Sequence, residues 1–547
     1  MKLPYVASVN WGKGSSATAW VVLLSAVFLL YAVNVGFVRD LWVQDEARYG
    51  EAVREMMANG SYMVPTLDGR FYSDKPPLYF WIMALQARLS GLNERSFRIV
   101  TFFSILGCAV AFFIFARRLL GESRGLWATI ILLTSMLFLI AGNIVRMDAL
   151  MTLFVVLSFH YLTRAVDEGN LRLVWPGYGF SLLATMVKGP LGFAFPVLAA
   201  IVYACVQKRT KWFSQLRLIY GMGLALSAAG LWIGYLHISG KDAYLKEVLF
   251  TQIWGRSLNS WSHQEPPYFY ALVLLPFFMP WLPFLWGGFR HAPRDVRRVA
   301  LCWFLPGFVL ISAISGKLFI YLLPVLPPLA LLVAAWLPAP WEKTDRVFST
   351  IPGFLNGLFF LVIGGGIVYA VKAYLPLVEL QRLAFAGVAF LILGFILLIL
   401  SITRKEKPIL WSLLVGSFLV SWVLMGWGAA QLNDYLSTRQ LGLTMAKARQ
   451  AGYDTAAVDI ARGTISFYAG FEVRNLGAIE LSKALDEPGS LLVAVRNKNR
   501  HDIPDQVLNR LTVVKSYPTL EWKGYTLYGE RGERVDELKK ILSAEIE

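Results

Sequence analysis

Long apolar runs recur along the first 430 positions of the chain and then cease. A helix rises about 1.5 Å per residue, so about 20 apolar residues are needed to cross roughly 30 Å of hydrocarbon. The pattern predicts about thirteen transmembrane helices, near 18–38, 99–116, 125–141, 148–165, 173–187, 190–206, 217–237, 268–289, 299–314, 320–337, 351–371, 382–402 and 409–429. The fifth is short and meets the sixth at Lys188-Gly189-Pro190. The first is too long for a signal-peptide core and lacks a small-residue cleavage site, so it is expected to stay as an anchor. Beyond residue 430 the period changes. A helix is expected over 436–450, opened by Ser437 or Thr438 as a cap. Short strands are expected at 456–460, 491–495, 512–514 and 525–528. The expected fold is therefore a polytopic α-helical membrane protein over 1–430 with a small C-terminal soluble α/β domain over 431–547.

Composition agrees, with 56% hydrophobic and only 16% charged residues, against about 25% charged in soluble proteins. The net charge of +16 does not point to nucleic acid, since no basic helix with interleaved aromatics is present. The cations instead sort by loop. With the N-terminus inside, alternate loops carry Arg117, Arg118, Arg124, Arg164, Arg172, Lys208, Arg209, Lys211, Arg217, Arg290, Arg294, Arg297, Arg298, Lys343, Arg346, Arg404, Lys405 and Lys407. The short loops opposite hold one each: Arg146, Lys188, Lys317 and Lys372. This asymmetry places two long loops, 39–98 and 238–267, and the C-terminal domain on the outer side. In a Gram-negative bacterium that side is the periplasm, and the membrane the inner one. Cys108, Cys205 and Cys302 lie inside apolar runs without metal-site or disulfide spacing.

The candidate chemistry gathers at the outer face. Asp45 and Glu46 follow the first span and open a helix expected over 46–58; Ser73-Asp74-Lys75-Pro76-Pro77 is a rigid turn before a second helix over 76–89. Amphipathic pieces of this kind lie in the headgroup plane. Asp148 stands where span three meets span four, and ionisable groups at membrane depth are costly unless paired or facing a wet cavity. Lys75, Lys188, Arg256 and Lys317 fall at the same face. Carboxylates among cations suit an anionic leaving group and a carboxylate working at the reacting centre. Each residue also has a structural reading: Asp45 and Glu46 as helix caps, Asp148 as partner of Arg146, Lys188 and Lys317 as headgroup contacts, His263 as a surface residue. No Gly-rich phosphate loop is present; Gly364-Gly365-Gly366 lies in an apolar span and is expected to permit close helix packing.

The ordered motifs DEARY at 45–49, SDKPPL at 73–78, RMD at 146–148, KGP at 188–190, Arg256 with HQEPPYFY at 263–270, and GKLFIYLLPVLPPLALL at 316–332 resemble the bacterial glycosyltransferases related to protein O-mannosyltransferases. Within these the chain is most similar to the aminoarabinose transferases of lipid A. The resemblance implies the GT-C architecture, an undecaprenyl-phosphate sugar donor, lipid A as acceptor and inverting transfer at the outer face. It implies Asp45 as the principal catalytic carboxylate and Asp148 as a second. Lys75, Arg256 and Tyr321 would hold the lipid phosphate, with Glu46, Lys188 and Lys317 as further substrate contacts. It also implies a metal site, zinc by analogy, on Asp74 and His263, although Asp74 stands where the family pattern has Glu. The competing readings are the same chemistry with a hexose and a protein or glycan acceptor, and, from a different class, a transporter. Against transport stand the odd number of spans, the absence of an evident repeat and the charges gathered at one face.

Overall fold

The computed structural model describes residues 16–36, 39–42, 45–207, 216–250, 264–340, 350–374, 381–458, 460–487, 490–518, 524–531 and 533–543. Arg256 and His263, and the loop cations Lys208, Arg209, Lys211, Lys343 and Arg346, lie outside the described residues. Each of the thirteen apolar segments is mostly helical over its described residues, three of them with a break inside. Eight are long and apolar enough to cross a membrane, and three bent pairs raise the number to as many as eleven. The bent pairs are Glu122–Leu133 with Met136–Asn143, Phe269–Phe277 with Leu282–His291, and Phe319–Val325 with Pro327–Trp336. Proline explains two of these bends, since Pro276 and Pro324 each remove a backbone donor inside a helix. The remaining two segments are the shorter helices Val174–Lys188 and Leu191–Val206. The helix Leu218–Ile238 has only 6% of its apolar window buried, a surface that hydrocarbon satisfies and water does not. The chain is a multi-pass membrane protein.

The described residues form two compact units. The first comprises Met1–Phe37, Ser73–Tyr79 and Arg98–Gly428. In it the helices Thr350–Tyr374 and Gln381–Ile402 pack through paired glycines. A Cβ on Gly364 would lie 2.6 Å from the Gly387 carbonyl oxygen, and one on Gly394 would lie 2.9 Å from that of Gly357. The glycines are seven residues apart on each helix, about two turns, so both pairs fall on one face. Gly365 and Gly366 face open space, so of the three consecutive glycines only Gly364 serves the packing.

The second unit comprises Val38–Tyr72, Phe80–Phe97 and Ala429–Glu547. The N-terminal part of this unit contains the helix Asp45–Asn59 and a hairpin of β1 (Thr66–Leu67) and β2 (Arg70–Phe71). Asp68 and Gly69 make its turn with φ of 50° and 67°, the left-handed pair that a two-residue hairpin loop demands. The C-terminal part adds β3 (Asp454–Val458), β4 (Arg474–Leu476), β5 (Leu491–Arg496), β6 (Leu511–Tyr517) and β7 (Tyr525–Glu530), in the sheet order β4-β3-β5-β7-β6. β3 is parallel to β4 and β5, and β7 is antiparallel to β5 and β6. Leu491, Val493 and Val495 face one apolar core and Leu492 and Ala494 the other. A strand covered on both faces reads as an unbroken apolar run. The helix expected over 436–450 runs Arg439–Gln450, after a short helix at Asn433–Leu436. Ser437 Oγ accepts from the Arg439 N–H at 3.1 Å, whereas Thr438 donates instead to the Thr464 carbonyl.

Candidate functional site

Two antiparallel helices of the first unit bring together charges forty residues apart. Asp148–Glu168 ends at Gly169, left-handed at φ 67°, and Val174–Lys188 returns beside it. Gly177 sits against Leu162, the Ser158 and Ser181 hydroxyls meet at 2.7 Å, and continuation of that register sets Lys188 against Asp148. The Lys188 ammonium donates to Asp148 Oδ1, and Arg146 Nε lies 3.4 Å from Oδ2. The carboxylate stands at a helix N-terminus and the ammonium in a last helical turn, each where the helix dipole favours it. Gly189, with φ 90°, turns the chain into Leu191–Val206 and leaves Lys188 at the corner.

Aromatic groups close over the pair. Lys188 Nζ lies 3.8 Å from the centroid of the Tyr321 ring, a cation–π contact that favours keeping the ammonium charged. Tyr321 stands on the 3₁₀ helix Phe319–Val325, where Phe319 stacks on Phe277 at 4.8 Å. Tyr270 donates to the Leu318 carbonyl at 3.2 Å and interacts electrostatically with Tyr321 and Asp148. Lys75 is within electrostatic range of both Asp148 and Lys188. On the same short segment Ser73 donates to Glu247 at 2.6 Å, and Asp74 is half-buried in the turn. Lys317 is buried and donates to the Glu265 carbonyl at 2.8 Å. The first unit thus gathers Asp148, Lys188, Lys75 and Tyr321, with Arg146 and Tyr270 added. Three cations surround one carboxylate, an excess of positive charge that suits an anion.

Asp45 and Glu46 belong to the second unit. Asp45 is half-buried in the first turn of Asp45–Asn59. Glu46 is buried, held by Arg39 through both oxygens at 2.7 and 2.9 Å, and it also accepts from the Trp42 N–H at 2.9 Å. The Arg39 guanidinium covers the Trp42 ring at 4.1 Å. Both Glu46 oxygens therefore fix the turn that carries Asp45. Sequence reasoning passed over Arg39, whose only signal was a cation seven residues before a carboxylate. Tyr270 lay in a motif that was noticed, but without a role.

A second acidic group was also missed. Glu51, Glu55 and Asp68 bring carboxylate oxygens within 4.8 Å of one another. Those oxygens are already engaged by Arg54, Thr66, Gly69, Gly463 and Ser466. Burial pushes the Glu51 carboxyl from about 4.5 up to about 8, with Asp68 and Glu55 adding to the rise and Arg54 opposing it. The folded chain then holds a proton that the unfolded chain releases above its ordinary value. The stability from this proton is full below pH ~4.5 and is lost as pH rises through ~8. The thermal midpoint of the purified protein should fall across this interval, and Glu51→Gln should flatten the slope. An identical slope in the variant would assign the pH dependence elsewhere.

The family described as dolichyl-phosphate-mannose-protein mannosyltransferase matches residues 74–234. The undecaprenyl phosphate-alpha-4-amino-4-deoxy-L-arabinose arabinosyl transferase of Pectobacterium carotovorum is 30% identical over 376 residues, 65% of this chain and 67% of that protein. The protein of the same name from Shewanella sediminis is 28% identical over 62% of this chain, which spans 63% of the relative's length. The crystal structure of ArnT from Cupriavidus metallidurans bound to undecaprenyl phosphate superposes with a TM-score of 0.74 at 19% identity, covering 95% of this chain and 99% of that one. That likeness extends the shared GT-C fold over nearly the whole chain. By this combination of matched sequence and shared fold, the chain belongs to the ArnT-like aminoarabinose transferase family, within the GT-C proteins related to the protein mannosyltransferases.

Proposed function

We propose that the chain transfers 4-amino-4-deoxy-L-arabinose from undecaprenyl phosphate to lipid A at the periplasmic face of the bacterial inner membrane. The observation that carries this reading is the buried Asp148 carboxylate paired with Lys188 and Arg146, with Lys75 in range and Tyr321 over the ammonium. The donor's prenyl tail stays in lipid and its phosphate rests at headgroup level, where Lys75, Lys188 and Lys317 supply positive charge; Arg256, outside the described residues, is a further contact on the family resemblance. In the reaction the bond from the anomeric carbon to the phosphate oxygen breaks, and negative charge grows on the departing phosphate. Positioned cations stabilise that charge. A bond to an acceptor oxygen forms from the opposite side, inverting the centre. A hydroxyl acceptor gives its proton to Asp45; a phosphate acceptor needs no base, and Asp45 then orients it. Asp148 holds Lys188 in place, and Glu46, with Arg39, fixes the Asp45 turn.

The same reading assigns residues 1–430 to the membrane-embedded transferase, with thirteen crossings and the N-terminus cytoplasmic, and residues 431–547 to the periplasm. A zinc ion on Asp74 and His263 is a further proposal of the reading. Two donors fall short of the three or four protein ligands that zinc takes, so no step is routed through it. The family match over 74–234 favours one second reading, transfer of a hexose to a protein hydroxyl.

The test is mass spectrometry of lipid A from a host that makes the donor but lacks its own transferase. Expression of this chain should add the mass of aminoarabinose. Unmodified lipid A in cells proven to contain the donor would overturn the proposal and turn attention to protein acceptors.

A further inference from the structure

Within the second unit the C-terminal part reaches onto the three residues that lead into the Asp45 helix. Asn433 Oδ1 accepts from the Asp40 N–H at 3.3 Å and from the Trp42 indole N–H at 3.1 Å. The Tyr468 hydroxyl accepts from the Leu41 N–H at 2.7 Å. Arg439 donates to Asp40 at 3.0 Å, and its guanidinium also lies 3.4 Å from Glu94. Three consecutive positions, 40, 41 and 42, are thus held by side chains that follow them by about four hundred residues. Hydrogen bonds to a backbone N–H fix the path of the chain itself rather than one side chain.

Packing makes the same connection one turn further along. A Cβ on Gly50 would lie 2.9 Å from Phe467, so the glycine admits that ring against the Asp45–Asn59 helix, and Phe467 also contacts Phe97 at 5.8 Å between centroids. Asp68, at the tip of the β1–β2 hairpin, accepts from the Gly463 N–H and from Ser466, each at 2.6 Å. The turn at 463–468 therefore touches the segment before Asp45, the helix after it and the hairpin beyond. Tyr468 is half-buried, and loss of solvent around its hydroxyl raises it well above the ordinary tyrosine range and keeps it protonated.

We propose that the C-terminal part of the chain is a positioning device for Asp45, with Asn433 and Tyr468 as its positioning residues. They clamp residues 40–42, and Glu46 with Arg39 carries that fixed path into the helix start. The inference rests on the reading of Asp45 as the carboxylate at the reacting centre. Displacement of a reacting group by about 1 Å can cost on the order of a hundredfold in rate, so loosening this clamp should act on turnover and leave donor binding to the first unit's cations.

The experiment is a steady-state transfer assay on the full-length protein with undecaprenyl phosphate aminoarabinose and lipid A, using Tyr468→Phe and Asn433→Leu, each alone and combined with Asp45→Asn. Each single variant should lower kcat by about tenfold with the donor KM within about twofold. In the Asp45→Asn background neither should lower it further, since residues acting through one group are not additive. Tyr468→Phe, which loses one oxygen only, keeps the test open should Asn433→Leu fail to fold. Unchanged kcat in Tyr468→Phe, or losses that add fully to that of Asp45→Asn, would overturn the clamp. If Asp45→Asn itself keeps full activity, the Asp45 reading fails first, and that result is separate from either of the others.

Discussion

Asp45→Asn should leave a folded protein that binds donor normally and transfers sugar about 10²- to 10⁴-fold more slowly, the range that a positioned general base contributes. Asparagine keeps the size of aspartate and its place in the first turn of Asp45–Asn59, so the Glu46–Arg39 pair beside it is not disturbed. What it removes is the capacity to take a proton. The magnitude also reports the acceptor. A loss at the upper end means that a neutral hydroxyl attacks, and a loss below about tenfold means that the attacking oxygen is already ionised. Comparing turnover in single-round assays with phosphorylated and fully dephosphorylated lipid A separates the two. Full activity with both would remove Asp45 from the mechanism.

The second large effect lies at Asp148. The carboxylate is buried between Lys188 and Arg146, and breaking a buried pair by removing one partner costs about 3–5 kcal/mol because the other charge is stranded. Asp148→Asn should therefore lower the thermal midpoint sharply and reduce the amount of protein recovered from membranes. Adding Lys188→Met removes the stranded charge and should return much of the stability, since apolar replacement of a buried pair is often near neutral. Activity distinguishes the two roles of the pair. If Lys188 holds the donor phosphate, the stable double variant is still inactive; if it recovers transfer, the pair serves the fold alone.

The apolar segments were legible because length and hydropathy are local properties, and the helices follow the runs within a few residues. The Asp148–Lys188 contact was not, since it depends on the register of two helices around Gly169; the nearby Arg146 was the natural partner to name. Glu46 was read as a substrate contact through the family resemblance; its oxygens accept from Arg39 and the Trp42 N–H, a pairing that depends on the local path of the chain and not on any motif. The strand β4 escaped notice because three half-exposed residues at a sheet edge carry almost no pattern. The β1–β2 hairpin did have its signal, the Asp-Gly pair at 68–69. It was overlooked because flanking strands of two residues leave no alternation to read.

The glycine contacts between Thr350–Tyr374 and Gln381–Ile402 bear on how this protein can drift over generations. On their outward sides Val362, Ile392 and Ile399 are more than half exposed, and a hydrocarbon surrounding accepts Leu, Ile, Val or Phe there almost interchangeably. At 364 and 387, with a neighbouring carbonyl oxygen 2.6 and 3.0 Å from any added carbon, the vocabulary shrinks to a single letter. Two helices that look equally greasy along their whole length are thus written in two alphabets. A comparison of diverged relatives should find the narrow one at 357, 364, 387 and 394.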